Sequence, residues 1–318
     1  MSRVAYGGQS YECGDKSVLD CLTAQGIRVP SSCRSGVCHT CMMRAVDGEV
    51  PEKAKTGLKT TLAAQNFFLA CSCYPETDIE VVMPEEGIGK LKARVASVEY
   101  LNNDILGIKL KPLNTFEYKA GQFISLFKDE TTSRCYSLAS VPALEAELFL
   151  NVRKVPSGLV TGWLFSSLHA GDEITISEAT GDCFYVTGKP EQDILLIATG
   201  SGLAPLYGII RDALLNGHTG RLSLYHGNNY SEGFYLVEEL KALQQEHPNF
   251  SYVPCVSEGD APEGYAAGMV LDVALAEHTD LTGWRIFLCG NPFMVNAAKQ
   301  QTFLAGASLA DIFADPFN

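Results

Sequence analysis

Cys33, Cys38 and Cys41 stand in the run SSCRSGVCHTC, and Cys71 follows in FLACSCYPE. Thiolates spaced C-x4-C-x2-C with a distant fourth cysteine are the pattern that holds a [2Fe–2S] cluster. The short loop brings three thiolates to one small inorganic core, and a later segment returns to close the second iron. Gly36 lies inside that loop, where the backbone must bend around the sulfides and approach them closely. Zinc is the competing reading, because C-x2-C pairs are common in zinc sites. Zinc usually takes two matched pairs, however, so the x4 gap and the single distant partner fit iron–sulfur better.

Three further groups could do chemistry. Arg134, Cys135, Tyr136 and Ser137 form R-C-Y-S at a strand end, which in isolation reads as ordinary strand. Thr199-Gly200-Ser201-Gly202-Leu203-Ala204-Pro205 lies between an apolar run and a helical stripe. Its G-x-G ends in Ala-Pro, so the usual G-x-G-x-x-G dinucleotide fingerprint fails. Small residues there still let the backbone reach nucleotide phosphates, and Pro205 in the first helical turn is preorganised. A plain tight turn explains that loop equally well. Cys289-Gly290-Asn291-Pro292 shifts the balance towards a ligand, because it ends another strand on the same carboxyl edge, where open α/β sheets bind ligands. A buried core cysteine is the bland alternative for Cys289.

The elements that must position these groups fall into three segments. Residues 1–85 carry two short strands around Gly7-Gly8, a helix in SVLDCLTAQG with a serine cap and a terminal glycine, and the cysteine loop. A polar linker covers 84–90. Residues 91–190 alternate as half-buried strands with one intervening helix (TGWLFSSLH), which suggests a small antiparallel barrel. Residues 191–318 change period. DILLIATG is the continuous apolar run of a strand buried on both faces. Leu206, Ile209, Ile210, Ala213 and Leu214 form a helical stripe after it. Further strands alternate with helices, so a doubly wound α/β domain is expected. The fold class is thus multidomain α+β.

These segments, in this order, resemble the reductase component of bacterial multicomponent oxygenases, of the benzoate-dioxygenase-reductase type. The stretch VLDCLTAQGIRVPSSCRSGVCHTC, with FLACSCYPETDIEVV, is similar to β-grasp plant-type ferredoxins, whose spacing favours Cys71 over Cys73 as fourth ligand. GQFISL, R-C-Y-S and NVRKVPSGLVTGWL resemble the flavin domain of the ferredoxin–NADP reductase superfamily. The resemblance implies that Arg134 pairs with a flavin phosphate, Tyr136 packs on the isoalloxazine, and Ser137 sits near the flavin N5. It also implies flavin contacts at Cys135, Val152, Gly158, Leu159, Val160 and Thr161. A guanidinium suits a diphosphate, a flat ring suits a flat cofactor, and helix N-terminal amides can bind a pyrophosphate. Two phosphate-binding elements favour FAD over FMN. The family commonly has a second glycine where this chain has Ser157. By the same resemblance Thr199, Gly200, Gly202, Leu203, Ala204, Pro205, His226, Gly227, Gly290, Asn291 and Pro292 contact the nicotinamide dinucleotide, with Cys289 beside its ring. Phe317, or failing it Phe313, supplies the C-terminal aromatic near the flavin. His39 and His226 read as exposed or packing residues rather than ligands.

The implied function is a relay from NADH through FAD and the [2Fe–2S] cluster to a terminal oxygenase (Rieske non-haem iron or di-iron) or an intermediate ferredoxin. Two alternatives are a reductase serving a deoxysugar dehydrase and a non-turnover redox sensor; the intact GSGLAP and CGNP loops argue against the sensor. The formal net charge of −13 argues against nucleic acid. Residues 220–318 hold 4 basic and 12 acidic side chains. Moreover, HGNNYSEGFYLVEEL (226–240) has no Arg or Lys, which favours NADH over NADPH. Neither a signal peptide nor a membrane span is apparent. The seven cysteines outside the cluster set read as reduced thiols, and the protein as soluble and cytoplasmic.

Overall fold

The computed structural model describes residues 2–84, 86 and 88–317, so part of the linker expected at 84–90 lies outside the described residues. The chain divides into two compact units, residues 1–88 and 89–318.

In the first unit β1 (Arg3–Tyr6) and β2 (Gln9–Glu12) form a hairpin. Its turn residues Gly7 and Gly8 take φ of 60° and 78°, the left-handed pair that a two-residue turn matching strand twist requires. Ser17 caps α1 (Val18–Ala24) by accepting from the Asp20 amide. The helix buries Val18, Leu19, Cys21 and Leu22 and stops before Gly26, at φ 80°. Strand β3 (Met42–Asp47), helix α2 (Thr60–Ala64) and strands β4 (Phe67–Leu69) and β5 (Ile79–Val82) complete the unit. The sheet order is β2-β1-β5-β3-β4, with β1 and β5 parallel. Leu22 is fully buried with Val4, Met43, Phe68 and Val81; truncating it to alanine costs about 2–5 kcal/mol.

One expectation is corrected here. Cys13 and Cys21 are not free thiols but a disulfide, with Cα atoms 5.2 Å apart. Their spacing in the chain carried no sign of it. Cys21 lies on the inner face of α1, and only the packing of that helix brings it to the end of β2. The other nine cysteines are unpaired.

The second unit begins with β6 (Lys90–Tyr100), β7 (Ile105–Pro112), β8 (Phe123–Phe127), β9 (Ser133–Ser137), β10 (Leu148–Arg153) and β11 (Glu173–Ser177). All pairings in this sheet are antiparallel, in the order β10-β7-β6-β11-β8-β9. A bridge between Leu138 and Leu150 draws the β9 and β10 edges together. Inward residues such as Ile108, Ile124, Leu150 and Ile176 fill the barrel. Helix α3 (Leu159–Ser167) starts two residues before the segment expected from TGWLFSSLH.

The remainder of the unit is a parallel sheet. Its strands are β12 (Ile194–Thr199), β13 (Leu222–Asn228), β14 (Phe250–Val256), β15 (Ala266–Ala267), β16 (Arg285–Gly290) and β17 (Ile312–Pro316), ordered β15-β14-β13-β12-β16-β17. Along β12, Ile194, Leu196 and Ala198 join one core cluster while Leu195 and Ile197 join another. Both faces are therefore covered, by α4 (Leu203–Leu215), α5 (Val237–Glu246), α6 (Val270–Glu277) and α7 (Pro292–Leu304). The terminal ADIFADPFN carries β17, a strand that its short polar-interrupted pattern did not announce. Helix α4 touches the barrel so closely that a Cβ on Gly208 would lie 3.1 Å from the Leu138 carbonyl oxygen. Among the described residues, no helix is long and apolar enough to cross a membrane.

Candidate cluster, flavin and nicotinamide sites

The cluster loop follows α1. Arg34 and His39 take φ of 54° and 58°, and Gly36 takes 77°; for the two L-residues such a backbone costs about 1–2 kcal/mol each. The path turns backbone amides onto sulfur. Ser35 and Cys38 N–H groups donate to Cys33 Sγ at 3.4 and 3.3 Å, and Cys33 N–H donates to Cys38 Sγ at 3.4 Å. The Ser35 hydroxyl first, then the backbone of Ser35 and Val37, pulls the Cys33 thiol down to about 5. Cys41 pairs instead with Cys71, drawn beside it by the Ala70 N–H bond to the Cys41 carbonyl, 3.0 Å. Burial pushes Cys41 up to about 11.

The thiols thus form two couples, Cys33 with Cys38 and Cys41 with Cys71. Among the described residues no group of three His, Cys, Asp or Glu side chains is gathered to hold a single metal ion. Two couples with inward amides suit two irons bridged by sulfide, each iron taking two thiolates. Cys73 is fully buried and faces the fold; its carbonyl accepts from Val18 N–H at 2.8 Å. A Cβ on Gly36 would come within 2.8 Å of Ser72 Oγ, a hydroxyl that can turn aside, so the demand for glycine there comes from the φ of 77°.

At the flavin site, strand β9 presents exposed Arg134 and Cys135, part-buried Tyr136 and buried Ser137. The Tyr136 hydroxyl is buried without a hydrogen-bond partner, as are both amide atoms of Asn151 on β10, beside fully buried Val152. Buried polar atoms left unpaired are costly, so these orphans fit a surface that a polar ring system completes. Asn151 was not anticipated from sequence, because only its burial makes it informative. Gly158 precedes α3 and has no room for a side chain: a Cβ would meet Thr161 Oγ1 at 2.3 Å. No side chain caps α3, so the first-turn amides around Leu159, Val160 and Thr161 stay available to a phosphate. Ser157 takes φ 60°, which explains why a glycine is common there in the resembled family.

The nicotinamide site is built at the carboxyl edge of the parallel sheet. Gly200 turns with φ 53°, and a Cβ on Gly202 would strike the Cys289 carbonyl oxygen at 2.3 Å. The G-x-G is therefore demanded by backbone angle and by strand-to-loop packing. Leu203, Ala204 and Pro205 are buried in the first turn of α4, which no side chain caps. Fully buried His226 hydrogen-bonds the Gly200 carbonyl through Nε2 at 3.0 Å. Burial drops its pKa to about 4, so the ring is neutral and donates. His226 is thus a loop-holding residue rather than an exposed one. Gly227 packs under Val270. Thr199 Oγ1 accepts from Asn291 N–H at 2.9 Å, and Asn291 caps α7 ahead of Pro292. Gly290 has φ 117° and would clash with Thr199 if it bore a Cβ.

Cys289 is fully buried with its Sγ 3.9 Å from Cys183 Sγ. Of the two C-terminal aromatics, Phe313 stacks on Phe287 in the core at 5.1 Å between centroids. Half-buried Phe317 lies past β17, its N–H bonded to the Gly290 carbonyl at 2.8 Å. Asp315, also unanticipated, accepts from Ser137 Oγ at 3.1 Å. Burial raises its carboxyl to about 6.

Comparison with known proteins identifies the domains that carry these residues. Residues 4–76 match a 2Fe-2S iron-sulfur cluster binding domain, 92–185 an oxidoreductase FAD-binding domain, and 196–300 an oxidoreductase NAD-binding domain. The chain is 33% identical over 310 residues, 95% of this chain and 93% of the relative, to the ferredoxin–NAD(P)(+) reductase component of a naphthalene 1,2-dioxygenase system from Pseudomonas putida. The chain belongs to the oxygenase-reductase family. The reductase is also 29% identical, over 96% of its length and 94% of the relative's, to a CDP-6-deoxy-L-threo-D-glycero-4-hexulose-3-dehydrase reductase from Yersinia pestis. A crystal structure of a cytochrome P450 reductase from Amycolatopsis covers 100% of the reductase and 99% of its own chain, with TM-score 0.70 and 30% identity. The reductase is an oxidoreductase that uses FAD, a [2Fe–2S] cluster and a nicotinamide dinucleotide.

Proposed function

We propose that the reductase takes electrons from NADH in preference to NADPH and delivers them singly to a partner oxygenase, directly or through a small ferredoxin, in the cytosol. When bound, FAD accepts a hydride from the nicotinamide and the cluster carries single electrons onward. The placement of each residue supports the role proposed for it. Arg134 offers a fixed guanidinium to a phosphate. The uncapped α3 turn after Gly158 offers amides to the same diphosphate. Ser137 and Asp315 hold a proton at the reacting edge, and buried Cys289 with Phe317 keeps that edge dry.

The observation that carries the reading is the meeting of Ser137, from the barrel, with Asp315, from the parallel sheet, beside Cys289 and Phe317. Such a seam supports a reading in which flavin-binding and nicotinamide-binding elements share one reacting edge. A deoxysugar dehydrase as acceptor is the second reading, favoured by the Yersinia relative. Anaerobic reduction of the holoprotein by NADH, followed by mixing with candidate acceptors, tests both. Absence of NADH-dependent cytochrome c reduction would remove the relay itself.

A further inference from the structure

Two buried cysteines meet where the barrel faces the parallel sheet. Cys183 lies in the segment after β11 and Cys289 near the end of β16, yet their Sγ atoms stand 3.9 Å apart across 106 positions of sequence. Both belong to one core cluster with Ala198 and Leu203. Along the chain Cys183 is a scattered thiol with no signal of its own. Only the packing of barrel against sheet gives it a partner.

The segment that delivers Cys183 is clamped to the barrel. Thr180 and Phe123 exchange both backbone hydrogen bonds, each at 2.9 Å. Gln122 Nε2 donates to the Gly181 carbonyl at 3.2 Å. The Cys183 carbonyl oxygen lies 2.5 Å from where a Cβ of Gly121 would stand, an approach that glycine alone permits. Cys289 is held as firmly from the other side. It lies opposite Ala198 on β12 and Asp315 on β17, and the Asp315 backbone amide bears on its sulfur. Burial first, and the Cys183 contact next, push the Cys289 thiol well above its ordinary pKa, so it stays protonated. A backbone so fixed sets Cβ but leaves the sulfur three staggered wells. A thiol is a weak donor and a weak acceptor, so the anchored Cys183 sulfur favours the well in which one S–H···S contact forms.

We propose that Cys183 is a positioning residue for hydride transfer: it holds the Cys289 thiol in one rotamer, so that a fixed sulfur surface borders the nicotinamide ring when the dinucleotide binds. Hydride transfer needs donor and acceptor held at close approach, and a small misplacement is costly in rate. A sulfur that hops between wells would let the ring drift. The assignment rests on the reading above that Cys289 lies at the reacting edge.

The experiment uses the full-length holoprotein and its Cys183→Ala, Cys183→Ser, Cys289→Ala and double alanine variants. Infrared difference spectra of the S–H stretch, recorded without NADH, should show the same hydrogen-bonded band lost in either alanine variant. Separate bands would overturn the contact. In anaerobic stopped flow, Cys183→Ala should slow flavin reduction at saturating NADH by about three- to tenfold, with the apparent Kd for NADH unmoved. It should also weaken the long-wavelength absorbance of the flavin–nicotinamide complex. Cys183→Ser, which keeps a donor and an acceptor, should recover most of the rate. In the Cys289→Ala background, Cys183→Ala should add nothing, because the two residues act as one unit. If Cys289→Ala keeps wild-type reduction and absorbance, Cys289 does not border the nicotinamide and the underlying reading fails. If Cys289→Ala slows reduction but Cys183→Ala does not, or slows it equally with and without Cys289, the assignment to Cys183 is overturned. Loss of FAD from both Cys183 variants would overturn it too, by placing Cys183 in flavin binding.

Discussion

Ser137 Oγ donates to Asp315 Oδ2 at 3.1 Å across 178 positions of sequence. The contact joins the end of β9 to the end of β17 and sets a titratable carboxyl behind the Ser137 hydroxyl, which the proposed function puts at the flavin edge. Burial is the main reason that carboxyl holds its proton up to about pH 6, and the Asp182 charge adds to it.

The sign of the linkage is definite. With a folded pKa of about 6 against the ordinary carboxyl value of 3.8, the folded state binds the Asp315 proton more tightly than the unfolded chain. Its favourable contribution is full below about pH 4 and is lost as pH rises through 6, a span of about 3 kcal/mol at most. Asp315→Asn should therefore raise thermal stability at pH 7.5 by about 1–2 kcal/mol, after loss of the Ser137 hydrogen bond, and by less at pH 5. Melting curves at the two pH values decide it. An equal effect at both would show that Asp315 does not titrate in this range.

The same pair makes a kinetic claim. Below pH 6 the protonated Asp315 becomes the donor and frees the Ser137 hydroxyl to face the reacting atom. Flavin reduction by NADH in stopped flow should quicken as pH falls through about 6, and Asp315→Asn should flatten that profile. Ser137→Ala should slow reduction by about 10- to 100-fold while FAD stays bound. Arg134→Ala should instead loosen FAD. Equal loss of FAD in both variants would refute the division of roles.

Cys41→Ser should remove the [2Fe–2S] cluster and leave FAD and NADH-to-ferricyanide activity intact, because the cluster residues lie in the 1–88 unit with its own core. Iron, acid-labile sulfide and visible absorbance are the readouts. Stoichiometric zinc without sulfide in the wild-type protein would sink the cluster assignment.

Gly202→Ala puts a methyl group 2.3 Å from the Cys289 carbonyl oxygen, a backbone atom that cannot swing aside. The loop must shift, and with it the amides offered to the dinucleotide. The KM for NADH should rise at least about tenfold, roughly 1.4 kcal/mol of binding, with the flavin spectrum retained. An unchanged KM would mean that the loop does not hold the phosphates.

Ser157→Gly should stabilise the protein modestly. Ser157 sits at φ 60°, where a side chain costs about 1–2 kcal/mol, partly offset by the greater freedom of glycine in the unfolded chain. A net gain of about 0.5 kcal/mol would lift Tm by about 1–2 °C. A lower Tm would show that the Ser157 side chain makes a compensating bond.

Much of this molecule can be read along the chain because its signals are local. The C-x4-C-x2-C loop, the serine-capped helix α1, the alternating barrel strands and the wholly apolar β12 each depend on neighbours a few residues away, through backbone periodicity and turn chemistry. Which side chains meet across the fold is not local. The Cys13–Cys21 bond depends on how α1 lies against β2. That Phe313 rather than Phe317 is buried on the Phe287 ring depends on how β17 lies against β16. Asp315 looks like an ordinary acidic residue in sequence, in a terminal segment that sequence singles out only for its aromatic residues. It gains meaning only when the packing of β17 brings it to Ser137. Chain composition sets no such pairing, because a hydrogen bond depends on positions to within tenths of an ångström, and those come from the packing of whole elements.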